Sequence, residues 1–267
     1  MEQDFNPEQT ANEIAKYINE LRKNPQAFMA HVQKRLDTYQ GKNFDQSGVL
    51  FQSAEGKDAP EECLASLENM KPKVEMTRMP GMDKAAQDLA DFNGETGKTG
   101  HAGKNESKMG ERLDTYGKWI GKVGEIIGVI PVNGLDFVLQ WIIDDGVKDR
   151  GDRKTILNPE FTKFGVACAK HKVYKTIAVV TFAADYVEKD ADGKLPDGVG
   201  PTPTTNEELK NTMPEELKVL PEDAEGMSIN RKIVTESGVT KTIYNITYTL
   251  KDGKGTRTMT KEYEGRK

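Results

Sequence analysis

The chain has 267 residues, 36% of them hydrophobic and 30% charged. This composition is too apolar for a disordered chain and too polar for a membrane protein, and no stretch is long enough and apolar enough to cross a bilayer, so we expect no transmembrane segment. Basic residues number 38 against 43 acidic ones and are spread along the sequence, which excludes nucleic acid as an expected partner.

The first part of the chain predicts two amphipathic helices within residues 7–40. Ile14, Ile18 and Leu21 recur at helical spacing, and Asn24-Pro25 interrupts the pattern. A residue before proline is disfavoured in helical geometry, while proline is tolerated in a first turn, so two helices are expected to meet there. We expect a loop at 41–58 and a short helix at 60–70.

The middle of the chain alternates helical and strand patterns. The predicted elements are a helix at 80–92 ended by Asn93-Gly94, a glycine-rich loop at 94–103, a strand at 122–129, a helix at 135–143, and antiparallel strands at 165–171 and 176–186. Trp119 and Trp141 are expected in the core, and His171 is expected to be solvated. Cys63 and Cys168 are predicted to be free thiols, with Cys168 buried.

The last part of the chain changes character. Residues 189–226 are rich in proline and predict a linker, whereas residues 229–263 predict a three-stranded meander with turns at 236–238 and at Asp252-Gly253. About 40 residues can barely bury a core alone. We therefore expect this β tail to dock on the main domain, on a second copy, or on a partner through its exposed edges.

Four polar residues stand at the ends of apolar elements: His101, Glu125, Asp144 and Asp152. Burying a carboxylate alone is very costly, so each acid must be paired, exposed to a cleft, or bound to a cation. One imidazole and three carboxylates could together form a mixed nitrogen and oxygen site for a divalent metal.

Residues 8–186 resemble the CAP superfamily, which comprises the cysteine-rich secretory, antigen 5 and pathogenesis-related proteins. The resemblance depends on an ordered set of motifs: Gly124-Glu125-Ile126, Trp141 to Asp144, and the Arg-Gly-Asp-Arg run that begins at Arg150. It implies an α-β-α sandwich whose cleft holds two histidines and two acids around a divalent ion such as zinc. His101, Glu125 and Asp144 match three of these positions, and Asp152 stands where the second histidine would be.

The predicted fold class is therefore α+β, an α-β-α sandwich CAP domain with an appended small antiparallel β meander. The predicted organisation is N-terminal helices and an insertion at 1–75, partly belonging to the CAP fold, a CAP core at 76–188, a proline-rich linker at 189–226, and a β tail at 227–267.

Asp152 in place of a histidine has two interpretations. With one imidazole the site would bind zinc weakly or prefer magnesium or calcium. Alternatively the cleft is vestigial, and Asp152 pairs with Arg150 or Arg153 or caps the nearby helix end. We assign no catalytic residue and no cofactor other than a weakly bound divalent cation under the first interpretation.

The leading hypothesis for function is a non-enzymatic interaction or scaffold protein. The altered cleft, the first residues without an export signal and the small tail favour a cytoplasmic protein in a larger, cytoskeletal assembly, with protein partners bound through the β tail and the N-terminal extension. The alternative is a divalent-metal-binding protein or metal-dependent hydrolase that uses the cleft. Lipid or sterol binding is a third option, implied by the resemblance alone.

Overall fold

The computed structural model describes residues 5–196, 214–217, 219–236, 239–251 and 255–264. The helices in this part of the chain are α1 (Pro7–Lys23), α2 (Pro25–Asp37), α3 (Asp58–Glu68), α4 (Pro80–Thr96), α5 (Met109–Tyr116), α6 (Gly134–Ile143) and α7 (Gly151–Ile156). The strands are β1 (Asn43–Gln46), β2 (Val49–Gln52), β3 (Thr77–Arg78), β4 (Gly117–Val129), β5 (Lys163–His171), β6 (Lys175–Glu188), β7 (Ala224–Glu236), β8 (Val239–Leu250) and β9 (Thr256–Glu264).

The two N-terminal helices begin at asparagine caps followed by proline. The side chain of Asn6 accepts the N–H of Gln9 at 3.0 Å, and that of Asn24 accepts the N–H of Ala27 at 3.0 Å. Each cap satisfies an N–H that the first turn leaves without a helical partner, and the following proline has no N–H to lose. The predicted junction at Asn24-Pro25 is confirmed.

A four-stranded sheet in the order β3-β5-β6-β4 forms the middle layer. Because side chains alternate along a strand, Val180 and Phe182 pack with α1, α2, α3, α6 and α7, whereas Val179 packs with α4 on the opposite face. The predicted α-β-α sandwich is confirmed. Helix α4 lies so close to the sheet that a Cβ on Gly165 would stand 2.2 Å from the carbonyl carbon of Met82.

Several sequence-based boundaries were wrong. The predicted loop at 41–58 contains the hairpin β1-β2, β4 begins at Gly117 instead of 122, and α5 and α7 were not predicted. Helix α4 continues past Asn93-Gly94 and ends at Gly97, whose φ of 79° is left-handed. Gly94 is a packing residue instead, since a Cβ there would stand 2.3 Å from the carbonyl oxygen of Lys170.

The predicted burial of individual side chains was mostly right. Trp141 is buried, and both cysteines are buried free thiols whose pKa values burial raises to about 12. The prediction of a solvated His171 was wrong, because the residue is only 3% exposed. Its Nδ1 accepts the N–H groups of Val173 and Tyr174, so Nε2 donates to the carbonyl of Lys98 at 2.8 Å.

Strands β7, β8 and β9 pair in chain order and confirm the predicted three-stranded antiparallel sheet. Apolar side chains of this sheet, among them Ile246 and Tyr244, form a separate small core with Leu217 from the segment before it. Strand β7 comes within 8 Å of β4, Cα to Cα, at the edge of the central sheet. Outside the described residues lie the predicted turn at 252–253, residues 237–238 of the turn predicted at 236–238, and residues 197–213 and 218 of the predicted linker. No helix in the described part is both long and apolar enough to cross a membrane.

Candidate functional site

Glu125, on β4, is the centre of a buried ion-pair network. Its side chain is 2% exposed, and each carboxylate oxygen has its own partner: Nδ1 of His101 lies 2.9 Å from Oε1, and Nη2 of Arg112 donates to Oε2 at 2.6 Å. The carboxylate is therefore paired with a guanidinium and an imidazole, as a buried charge requires. The structure thus brings together two of the four residues predicted for the site and adds one that was not predicted.

Arg112 holds the His101 loop in place. It comes from α5, is 4% exposed, and its Nη1 donates to the carbonyls of His101 at 3.1 Å and Ser107 at 2.8 Å. One guanidinium thus fixes both the backbone of His101 and the acid that its ring contacts. The hydrogen bond that Glu125 accepts from the His101 ring raises the pKa of His101, although burial opposes the shift.

Asp144 is placed by the end of α6. It adopts left-handed geometry with φ of 55°, and its Oδ2 accepts the backbone N–H groups of Asp152 at 2.9 Å and Arg153 at 3.4 Å. These are first-turn donors of α7, so the carboxylate that caps this helix belongs to Asp144. The prediction that Asp152 caps the helix end was wrong.

The two arginines of the Arg-Gly-Asp-Arg run bind acids from the N-terminal region. Arg150 contacts Glu55 at 2.6 Å and Glu62 at 3.1 Å, and Arg153 contacts Glu62 at 2.7 Å. The prediction that Asp152 pairs with Arg150 or Arg153 was wrong, because the two guanidinium groups bind Glu62 on α3 and Glu55 in the segment before it. The network instead ties α3 to the α6–α7 corner.

Asp152 is left as a half-buried carboxylate beside another acid. Burial, then the nearby charges of Asp144 and Asp149, raise its pKa to about 6, and only His101 opposes the shift. The charged form of Asp152 is therefore disfavoured in the folded protein relative to the unfolded chain.

We expect Asp152→Asn to stabilise the protein in a pH-dependent way. The folded-state pKa of about 6 lies above the usual aspartate pKa of 3.8, so the ionisation penalty is absent below pH 3.8 and complete above pH 6. The variant should match the wild type at low pH and exceed its free energy of unfolding by about 1–2 kcal/mol at neutral pH, after allowance for solvent screening. Urea unfolding across that range measures the difference. The exposed Asp192→Asn should show no such trend, and a pH-independent effect of Asp152→Asn would contradict the assignment.

Two of the four predicted ligand positions already have partners within the protein. Both oxygens of Glu125 are engaged, and Oδ2 of Asp144 caps α7. Within the described ranges, no three His, Cys, Asp or Glu side chains come together as a group that could hold a metal ion. A structural zinc site needs four ligands in close tetrahedral contact, and a catalytic one needs three.

The fold and the cleft together define an α-β-α sandwich protein with a histidine–carboxylate pair at the edge of its sheet. The model of the CAP family, described as the cysteine-rich secretory protein family, matches residues 15–183, well over half of the sequence. The chain belongs to this family. No curated protein matches it.

Two solved structures are similar in part. One is an extracellular protein containing an SCP domain from Bacillus anthracis, at 20% identity and a TM-score of 0.35, with 45% of this chain and 36% of that chain covered. The other is an outer surface protein from Borrelia burgdorferi, at 16% identity and a TM-score of 0.36, with 54% of this chain and 98% of that chain covered. The match therefore spans only about a third of the Bacillus protein.

Proposed function

We propose that this CAP-family protein is a non-enzymatic binding protein in which the sandwich is a rigid frame and the β tail receives a protein partner. The observation that carries the proposal is the pairing of both carboxylate oxygens of the buried Glu125, one with Arg112 and the other with His101. Each oxygen of Glu125 already has a cationic or ring-nitrogen partner, and the side chain is 2% exposed, so a substrate or metal ion would have to compete with Arg112 and His101 for it. This arrangement supports a structural role for the network.

The outer edge of β9 supports the choice of the tail as the binding surface. In the described part of the chain β9 pairs only with β8, so the backbone groups on its other side meet no strand. Such an edge can accept a strand from another protein, with main-chain hydrogen bonds giving affinity. Thr258 and Thr260 on β9 are exposed. Polar side chains of this kind are compatible with an edge strand that is solvated in the free protein and paired in a complex.

Adjacent proline substitutions in the full-length chain test this proposal. Successive N–H groups of an edge strand point alternately inward and outward, so Thr258→Pro and Met259→Pro remove one of each kind. The variant with the smaller loss of melting temperature has lost the outward N–H. We expect it to lose the partner that the tagged wild type cross-links in source cells, while Lys261→Ala keeps that partner. Retention of the partner by the outward variant would refute edge recognition, and so would a wild type that captures no partner.

Metal titration separates this proposal from the metal-dependent alternative. We expect calorimetry with zinc, magnesium or calcium at millimolar concentration to give no specific binding to the wild type. Asp152→His restores the second imidazole and should produce measurable zinc affinity if the cleft is otherwise competent. Tight zinc binding by the wild type would favour the alternative and contradict the proposal.

The proposal keeps the cytoplasmic location and the cytoskeletal association expected from the sequence. The buried free thiols Cys63 and Cys168 are compatible with a reducing compartment. Fractionation of source cells with an antibody against the full chain tests the location, and recovery in the culture medium would contradict it.

A further inference from the structure

A cavity of about 380 Å³ lies between the β1-β2 hairpin and the α6–β4 side of the sandwich. Small-molecule sites commonly fall between about 300 and 1,000 Å³. The hairpin supplies Phe44 and Phe51 as one wall, with ring centroids 5.8 Å apart, and Tyr39 stacks on Phe44 at 4.9 Å. Trp141, Ile127 and Val129 line the opposite side. The cavity therefore offers an aromatic and aliphatic surface of ligand size.

Trp141 contributes a buried donor that lacks an acceptor. The residue is 1% exposed, and its indole Nε1 has no hydrogen-bond partner among the described residues. A Cβ on Gly128, which also lines the cavity, would stand 2.8 Å from that nitrogen. An unpaired buried N–H costs about 1–3 kcal/mol of stability. A ligand with a hydrogen-bond acceptor at this position would remove that cost.

The charged groups that line the cavity are mostly negative. They are Asp144, Asp145 and Asp152 against the single guanidinium of Arg35. Arg35 is already paired with Asp136 at 2.5 Å. Asp145 accepts the backbone N–H groups of Ala54 and Glu55, and Asp144 caps α7.

Asp152 differs from the other two acids because its carboxylate has no hydrogen-bond donor among the described residues, although the residue is half-buried in the cavity wall. A carboxylate in this condition favours a cation in the cavity, since a buried charge is stabilised by a paired and hydrogen-bonded partner.

We propose that this cavity binds a small organic cation, an arylalkylamine whose ammonium group pairs with Asp152 and whose aromatic ring packs between Phe51 and Trp141. A hydroxyl or ether oxygen on the ligand accepts the indole N–H of Trp141. This inference goes beyond the proposed partner binding, because no residue of the β tail lines the cavity. The two proposals can therefore be refuted independently of each other.

Tyramine is the probe for this site, because it carries an ammonium group, an aromatic ring and a hydroxyl. We expect calorimetry on the full-length protein to detect tyramine binding, with 4-ethylphenol and phenethylamine each about tenfold weaker or more, since each loses one polar contact. The acid 3-(4-hydroxyphenyl)propionate should not bind. Equal binding of tyramine and 4-ethylphenol, or no binding of tyramine at millimolar concentration, would overturn the proposal.

Two variants place the ligand in the cavity. Asp152→Asn should weaken tyramine binding about tenfold or more without unfolding the protein, whereas the exposed Asp192→Asn should leave the affinity within about twofold. The chain has two tryptophans, so the indole N–H signal that remains in Trp119→Phe belongs to Trp141, and tyramine should shift it in the nitrogen–proton correlation spectrum. Unchanged affinity in Asp152→Asn, or an unshifted Trp141 signal at saturation, would exclude this cavity.

Discussion

Replacement of Arg112 by methionine should lower the free energy of unfolding by about 3–5 kcal/mol, because it leaves the carboxylate of Glu125 buried without its guanidinium. Both side chains are nearly inaccessible, 4% and 2% exposed, and they meet at 2.6 Å. The loss also releases the carbonyls of His101 and Ser107, which Arg112 holds. Urea unfolding of the full chain at neutral pH gives the difference.

Two further variants show whether the buried charge is the cause. Lys122 also forms an ion pair from β4, with Glu160 at 2.9 Å, but its side chain is 57% exposed, so Lys122→Met should cost at most about 1 kcal/mol. The double variant of Arg112→Met and Glu125→Met removes both charges and should recover much of the stability that the single variant loses. A double variant no more stable than Arg112→Met alone would show that packing, not charge, explains the loss.

The sequence allowed His101 and Glu125 to be predicted as neighbours, but it gave no indication of Arg112. Although Met109, Leu113 and Tyr116 recur at helical spacing in α5, Arg112 itself looks like a solvated residue, because an arginine is almost never fully buried unless it is paired. Its burial depends on the position of Glu125 thirteen residues later. A pairing that depends on tertiary structure leaves no local pattern in the amino-acid sequence.

The partners of the Arg-Gly-Asp-Arg run were missed for a similar reason. Asp152 lies within two residues of both Arg150 and Arg153, and proximity along the chain favoured it. The fold instead brings Glu55 and Glu62 to these arginines from about 90 residues away. Asp152 was therefore predicted to be neutralised, whereas it lies near Asp144 and Asp149 with only His101 to oppose their charge.

The hairpin β1-β2 was missed because its strands have only four residues each, too few for a clear alternating pattern, and because β1 is mostly polar. By contrast, α4, β5, β6 and the tail strands carry long periodic patterns and were predicted correctly in type. The part of the candidate cavity that depends on the hairpin, the wall of Phe44 and Phe51, was therefore absent from the sequence-based site. Only its two acids, Asp144 and Asp152, had been identified.

Replacement of Arg153 by methionine should cost about 3–4 kcal/mol, since this side chain closes the buried end of α6. Its Nε donates to the carbonyl of Ile142 at 2.5 Å and its Nη2 to that of Ile143 at 3.2 Å, and the residue is 5% exposed. The last carbonyls of a helix have no helical donor, so they would be left buried and unpaired.

Glu62→Gln is the matched control for Arg153→Met. Glu62 also binds Arg153, but its side chain is 47% exposed, so loss of its charge should cost less than about 1 kcal/mol. Chemical denaturation of both variants separates the contribution of the helix carbonyls from that of the ion pair. Equal losses would mean that Arg153 acts mainly through Glu62. A much larger loss for Arg153→Met would mean that Arg153 stabilises the fold by donating to backbone carbonyls. In the Arg-Gly-Asp-Arg run, both arginines would then have structural roles, and Asp152 would be the residue whose charge is available to a ligand.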